Sequence, residues 1–166
     1  MLAKKAIFAA GLLIAAAPAS YADGIAAQVL LVHNRERAEV GVPALTWNES
    51  LAADAQRWAD HLAATGKFEH AGDDENPSSG ENLAMGSSGY TAEALAQLWA
   101  DEKALFKYGA FPDVSTDGNW FNVGHYTQMV WEGTASMGCA TASAGASIFL
   151  VCRYDPPGNY SGQKPW

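Results

Sequence analysis

Apolar residues recur at helical spacing in the first part of the chain. In residues 24–40, Ile25, Val29 and Val32 are separated by three or four positions, and the segment ends at Gly41. This periodicity predicts a first helix over residues 24–40, because positions three and four apart share one face of a helix.

Two further segments show the same pattern behind recognisable capping residues. Asn48 is a good N-cap for a second helix, which Gly66 ends, and Thr91 is a good N-cap for a third helix over residues 92–107. The apolar residues of these two stripes are Leu51, Ala55, Trp58 and Leu62, then Leu95, Leu98, Trp99, Leu105 and Phe106.

The remaining segments are shorter or irregular. Residues 68–88 lack periodicity and predict a long polar loop, which in a small domain is usually functional or mobile. A second loop over 108–123 precedes a short fourth helix that begins near His125. Two strands, "SMGCATA" and "SIFLVCRYD", flank the turn "SAGA". Helices followed by a few strands indicate an α+β fold or a layered αβα arrangement.

The first 22 residues have the features of a secretory signal peptide. Lys4 and Lys5 precede an apolar run from Ala6 to Ala17 and then small residues, and cleavage after Ala22 fits this pattern. The run is shorter than the roughly 20 residues that a membrane span needs. We therefore expect an exported protein, extracellular or periplasmic, with no membrane-spanning segment and with one domain over residues 23–166.

The charge and the cysteine content of the chain bear on its partners and on its crosslinking. The chain has 10 basic and 18 acidic residues, and because residues 1–22 hold two lysines and no acid, the remaining chain has a formal charge of −10. Such acidity disfavours a nucleic-acid partner. Cys139 and Cys152 are the two cysteines of the sequence and lie opposite each other across the predicted turn, so we expect one disulfide, worth about 3 kcal/mol.

Glu102 is an anomaly in the third apolar stripe. It lies three residues after Trp99 and three before Leu105, so its carboxylate is expected on the apolar side of the helix. A buried carboxylate must be paired or must border a cavity, because burying it alone is costly. A salt-bridged glutamate at the edge of the stripe explains the pattern equally well.

Three other polar residues lie at the ends of predicted segments. His70 follows the second helix, Glu81 lies in "SGENLA", and His125 opens "GHYTQMVWEGT". Two imidazoles and two carboxylates suit zinc or another divalent metal, and they suit a hydrogen-bonded cluster without metal just as well. Their spacing matches no local metal motif.

Common catalytic motifs are missing from the sequence. It contains no HExxH, GxSxG, Walker or dinucleotide-binding motif, which disfavours the common hydrolase and nucleotide-binding classes. Pairing of the two cysteines disfavours a cysteine nucleophile, whereas a serine or threonine nucleophile remains open.

Long ordered motifs give the chain a family resemblance. The segments "VHNRERAEVGVPALTWNESLAADAQRWA", "GENLA", "GHYTQMVWEGT" and "FLVCRYDPPGNY" resemble the CAP superfamily, which includes cysteine-rich secretory proteins, antigen 5 and plant pathogenesis-related class 1 proteins. The resemblance covers nearly all of residues 23–166. It implies a three-layer αβα sandwich with a small antiparallel sheet between helices.

The resemblance also implies a cleft and two kinds of ligand. Family members bring together the residues that correspond to His70, Glu81, Glu102 and His125, with a divalent metal on the two histidines and the acids close behind. Sterol-binding relatives carry an aromatic loop after the third helix, and the equivalent positions are occupied by Phe106, Tyr108 and Phe111. The tail resembles a peptide released from some plant members but ends in Trp166 where those end in tyrosine.

Three functional hypotheses follow. The first is a monomeric, secreted, non-catalytic protein that binds a divalent metal in the cleft and a sterol or fatty acid in an apolar groove. The second is a metal-assisted protease or esterase with Glu81, Glu102 or His125 as the catalytic candidates. The third is an interaction protein whose cleft residues only hold the helices against the strands.

Overall fold

The computed structural model describes residues 21–76 and 78–166. Within these ranges the chain forms four α-helices, four β-strands and two short 3₁₀ turns. The helices are α1 (Tyr21–Val40), α2 (Glu49–Thr65), α3 (Ala92–Asp101) and α4 (Gly124–Met129). The strands are β1 (Thr46–Trp47), β2 (Gly80–Ser87), β3 (Ser136–Ala144) and β4 (Ser147–Asp155), and the 3₁₀ turns are Glu102–Leu105 and Trp120–Asn122.

The predicted capping residues begin and end the helices as expected. The side chain of Asn48 accepts hydrogen bonds from the backbone of Ser50 and Leu51, and Gly66 ends α2 in the left-handed conformation with φ 69°. Thr91 accepts from the backbone N–H of Ala94 and begins α3. These groups satisfy donors and acceptors that a helix end leaves unpaired.

The predicted extent of the third helix is wrong at its C-terminal end. The α-helical hydrogen bonding stops at Asp101, and residues 102–105 continue as a tighter 3₁₀ turn. With about three residues per turn, the side chains beyond Asp101 rotate away from the α-helical stripe. Leu105 is therefore 39% exposed, and Leu98, at the edge of the stripe, is 46% exposed instead of contributing to the core.

The long polar loop over residues 68–88 is also wrong in part, because its last third is a strand. β2 pairs antiparallel with β4 over its whole length, from Gly80 opposite Tyr154 to Ser87 opposite Ser147. Both Leu83 and Ala84 are buried since helices cover both faces of the sheet. A strand buried on both faces shows no alternation of apolar and polar residues, so the sequence pattern did not reveal it.

The sheet lies between two helical layers, as the predicted αβα sandwich requires. Its strand order is β1-β3-β4-β2, antiparallel except for the short β1, which pairs parallel with β3. One face packs on α2 through residues such as Phe149 and Val151. The opposite face packs on α1, α3 and α4 through residues such as Leu150 and Tyr154.

The predicted hairpin and disulfide are confirmed. β3 and β4 are antiparallel neighbours with Cys139 directly opposite Cys152. The two sulfurs are bonded, and both cysteines are buried against the helical layer of α1 and α3. The crosslink therefore joins the two central strands.

The N-terminal predictions mostly concern a segment outside the described residues. Residues 1–20 of the predicted signal peptide are not described, and Tyr21 and Ala22 begin α1, three residues before the predicted start of that helix. In the described ranges, none of the helices has the length and hydropathy of a membrane span.

Candidate functional site

His70 is placed by the chain that leaves α2. After Gly66 the segment has no regular structure, and Trp58 fixes it by donating its indole N–H to the carbonyl of Glu69 at 3.1 Å. The Nδ1 of His70 then lies 2.5 Å from Oε1 of Glu81, near the start of β2. The backbone N–H of Ala71 donates to the same oxygen at 3.1 Å.

His125 is placed by the N-terminus of α4. Oε2 of Glu102 accepts the backbone N–H groups of His125 and Tyr126, each at 3.0 Å, so a carboxylate from another element caps this short helix. Oε1 of Glu102 accepts from Nδ1 of His125 at 2.6 Å. The imidazole also stacks on Trp99, with ring centroids 6.0 Å apart. The predicted anomaly of Glu102 is thus explained by two different roles of one carboxylate.

The two imidazoles line one cleft of about 340 Å³. The residues that line it are His70, Glu81, Asn82, Phe111, Trp120, Phe121, Gly124, His125 and Asn159. Glu102 is outside this lining and contacts His125 from behind. The structure therefore brings all four sequence-predicted polar residues into one region, three of them at the cleft surface.

The two histidines have the same arrangement of their ring nitrogens. A carboxylate accepts hydrogen bonds, so each Nδ1 carries the proton that it donates to a glutamate. In the described part of the chain, Nε2 of His70 and Nε2 of His125 have no hydrogen-bond partner. A histidine that donates one ring N–H to a carboxylate and keeps the other nitrogen free is typical of metal ligands in proteins.

Glu81 has a further partner beneath the cleft. Its Oε2 lies 3.0 Å from Nη2 of Arg153, and both side chains are buried. Burial lowers the pKa of the Arg153 guanidinium, and the nearby negative charge of Glu81 opposes that shift. Asn82, next along β2, donates to the carbonyl of His125 at 3.1 Å and thereby joins the sheet to α4.

Comparison with known proteins identifies the family. The model of the cysteine-rich secretory protein family, CAP, matches residues 30–154. The chain belongs to the CAP family.

Relatives of this CAP protein include a plant pathogenesis-related protein and proteins of known structure. It is 40% identical to pathogenesis-related protein 1A of Nicotiana tabacum over 136 residues, which are 81% of this chain and 76% of the relative. The solved structure of NaASP2 with Zn²⁺ is 25% identical, with a TM-score of 0.73, and the match covers 86% of this chain and 85% of that one. Na-ASP-1 has the same TM-score at 26% identity; the match covers 87% of this chain but only 41% of Na-ASP-1.

The number of potential metal ligands in the CAP cleft is small. Among residues 21–76 and 78–166, no three histidine, cysteine, aspartate or glutamate side chains form a group that could hold a metal ion. In these ranges the two imidazoles, each with a free Nε2, are the side chains that could hold a metal in the cleft. Any remaining coordination positions would be open to water or to another molecule.

The three aromatic residues predicted to bind lipid lie in two different environments. Phe106 packs on Tyr126 and Trp166, and Tyr108 packs on Trp166 and donates its hydroxyl to the Trp166 carbonyl. Phe111 is buried against Trp120 and lines the cleft. Trp166 thus contacts the first two aromatics, although Tyr108 is still 50% exposed, and of the three only Phe111 lines the cleft.

The sequence analysis did not single out Arg153 or Asn82, whereas Trp120 and Phe121 are further aromatics of the loop that resembles the sterol-binding loop of relatives. Arg153 could have been found by the reasoning applied to Glu102, because it is a charged residue inside the apolar strand "SIFLVCRYD". Phe121 is 69% exposed although it stacks on Trp120, with ring centroids 3.9 Å apart. No local pattern indicates that these two rings form one wall of the cleft.

Proposed function

We propose that this chain is a pathogenesis-related-like CAP protein that binds a divalent metal, zinc above all, through Nε2 of His70 and Nε2 of His125. One observation carries the proposal: both imidazoles donate Nδ1–H to a glutamate, at 2.5 and 2.6 Å, and keep Nε2 free beside one cleft. Nitrogen ligands of this kind suit zinc.

The surrounding residues fit such a metal. Glu81 and Glu102 hold the proton of each imidazole at Nδ1 and fix the ring orientation, which keeps a lone pair on Nε2. A bound metal would supply positive charge and open coordination positions to whatever enters the cleft. NaASP2, whose structure contains Zn²⁺, supports the choice of zinc because its fold matches this chain at a TM-score of 0.73.

The proposal is tested by titrating zinc into metal-free protein in a calorimeter. His70→Ala, His125→Ala and the double variant are compared with wild type, and each single substitution is expected to weaken binding at least tenfold. His61→Ala is the matched control, because His61 is an exposed histidine on α2 that does not line the cleft. Equal heats for wild type and the double variant would reject the proposal.

The cleft favours binding over covalent catalysis. None of the described residues that line it is a serine, threonine or cysteine, so no hydroxyl or thiol nucleophile lies at its surface. A metal-assisted hydrolase with Glu81, Glu102 or His125 as general base remains the alternative prediction. Turnover of a peptide or ester library that disappears in Glu102→Gln would support the enzyme, and the absence of turnover in zinc-loaded wild type would support the binding protein.

A sterol or fatty acid is a second candidate ligand, and the aromatic wall of the cleft favours it. Phe111, Trp120 and Phe121 offer apolar area, and Phe121 is largely exposed. Burying an aromatic ring of this kind contributes roughly 1.5–3 kcal/mol. We expect Phe121→Ser to reduce retention of a radiolabelled sterol or fatty acid, whereas Tyr108→Ser, outside the cleft, should not. Equal retention by both variants would place the lipid elsewhere.

Export is proposed from residues 1–22 of the sequence, which have the composition of a signal peptide. Expression of the full chain in a secreting host should yield protein that begins at Asp23. N-terminal sequencing of the protein from the medium or periplasm tests this, and retention of Lys4 and Lys5 would contradict it.

A further inference from the structure

Arg153 lies directly opposite Glu81 in the sheet. β4 and β2 are antiparallel neighbours, and their register pairs these two residues. Directly opposed residues of antiparallel strands project to the same face, so the backbone pairing itself brings the guanidinium to the carboxylate. Arg153 is 1% exposed, and its Nη2 lies 3.0 Å from Oε2 of Glu81.

The hydrogen bonding of Arg153 differs from that of Arg37, another buried arginine. Arg37 is also buried, and it donates hydrogen bonds to four backbone carbonyls, those of Pro43, Met129, Trp131 and Thr134. In the described part of the chain, Nε and Nη1 of Arg153 have no hydrogen-bond partner. Buried donors without partners cost stability. Among residues 21–76 and 78–166, the ion pair of Arg153 is with Glu81, the carboxylate that holds His70.

The ring of His70 depends on that carboxylate. The side chain of His70 is 61% exposed, and Glu81 is the sole hydrogen-bond partner of its ring among the described residues. Glu81 is only 5% exposed, and its Oε2 has no hydrogen-bond partner among the described residues, so the cation of Arg153 at 3.0 Å is what offsets its buried negative charge. Without Arg153, this carboxylate is expected to turn toward water and to withdraw Oε1 from His70.

His125 does not share this dependence. Its ring stacks on Trp99, and its partner Glu102 is fixed by two backbone N–H groups of α4. The glutamates behind the two histidines are therefore held by different means: Glu81 by the buried arginine and one backbone N–H, and Glu102 by two backbone N–H groups of a helix terminus. This difference provides an internal control within one protein.

We infer that Arg153 is a positioning residue: it anchors Glu81 so that His70 keeps its proton on Nδ1 and presents Nε2 to the cleft. Arg153 acts through Glu81, because it lines a separate cavity with Trp58, Glu75 and other residues and does not line the cleft. The inference rests on the proposed function only in assigning metal binding to Nε2 of His70. The orientation of the His70 ring can be measured without metal.

The experiment measures the tautomer of each histidine in metal-free protein by nitrogen NMR at mildly alkaline pH. In wild type, His70 and His125 should both carry the proton on Nδ1. In Arg153→Gln, His70 should become a mixture of the two tautomers while His125 stays unchanged, and zinc affinity should fall about tenfold or more. Arg153→Lys, which keeps the cation, should restore the wild-type tautomer of His70.

Two comparisons make the result decisive. Arg57→Gln removes a cation that lines the same cavity but is paired with Asp54, so His70 should be unaffected. An unchanged tautomer of His70 in folded Arg153→Gln overturns the inference. If Arg153→Gln does not fold, a mixed tautomer in folded Arg153→Lys overturns it instead. Wild type that takes up no zinc rejects the proposed function, whereas the tautomer measurement still decides the role of Arg153.

Discussion

The buried histidine of α1 makes a specific prediction about acid stability. His33 is fully buried, and its Nδ1 lies 2.7 Å from the carbonyl of Val29. A carbonyl only accepts, so Nδ1 carries the proton, and Nε2 must accept the hydroxyl hydrogen of Tyr154 at 2.8 Å. A second proton on Nε2 would displace that hydroxyl hydrogen. The site is therefore built for the neutral imidazole.

The size of the stability loss in acid follows from the lowered pKa of His33. Burial lowers the pKa of His33 from 6.5 to about 4, the hydrogen bond to Val29 opposes this shift, and the charge of Arg37 adds to it. Above pH 6.5 the histidine is neutral in both the folded and the unfolded chain, so its contribution to stability is complete. As the pH falls from 6.5 toward 4, only the unfolded chain takes up the proton. The free energy of unfolding is then expected to decrease by about 2 kcal/mol near pH 5 and about 3 kcal/mol near pH 4.

The assay is urea unfolding followed by tryptophan fluorescence from about pH 7.5 to about pH 4, with a chelator present. His33→Gln removes the titrating group, so it should be less stable than wild type at neutral pH but should lose about 3 kcal/mol less on acidification. His61→Gln, on the exposed side of α2, should follow wild type. If His33→Gln loses as much stability on acidification as wild type does, the reasoning is refuted.

Three further variants test the packing of the fold by urea unfolding at neutral pH. Replacing Cys139 and Cys152 by alanine should lower the free energy of unfolding by about 3 kcal/mol, and a change below about 1 kcal/mol would contradict this. Arg37→Met leaves four backbone carbonyls without their donor, so a loss of about 3 kcal/mol or more is expected, and an unchanged midpoint would refute this expectation. Gly138→Ala would place a Cβ 2.2 Å from the backbone nitrogen of Ala52, so this variant should lose about 3 kcal/mol, unlike Gly89→Ala, whose Cβ would meet no atom within 4 Å.

The helices could be predicted because the residues that begin and end them act on nearby backbone groups. Asn48, Gly66 and Thr91 act on backbone groups within a few residues of themselves, so the sequence shows both the capping group and the helix that it caps. The strand β2 gave no such signal. Its pairing partner β4 lies about 70 residues away in the chain, and helices bury both of its faces.

The candidate site also contains residues that the sequence predicts and a contact that it does not predict. His70, Glu81, Glu102 and His125 could be proposed because the family motifs carry them and because a carboxylate in an apolar stripe is conspicuous. Arg153 is conspicuous as a charged residue inside an apolar strand, but the strand does not show which residue it contacts. Its partner is set by the register of two strands, and register is a property of the assembled sheet rather than of either segment.

The side-chain amide of Asn82 connects the sheet to α4, and these two elements hold the two imidazoles of the cleft. Asn82 follows Glu81 on β2, and its Nδ2 donates both to the carbonyl of His125 and to the hydroxyl of Tyr154, each at 3.1 Å. The same hydroxyl donates to His33. Movement of α4 against the sheet would break the hydrogen bond of the buried Asn82 side chain to His125, and such a break is costly. The relative position of the two imidazoles therefore depends on the same buried network that makes His33 sensitive to acid, so His33→Gln is expected to weaken zinc binding as well as lower stability. Zinc affinity equal to that of wild type in this variant would show that the amide holds α4 without the help of His33.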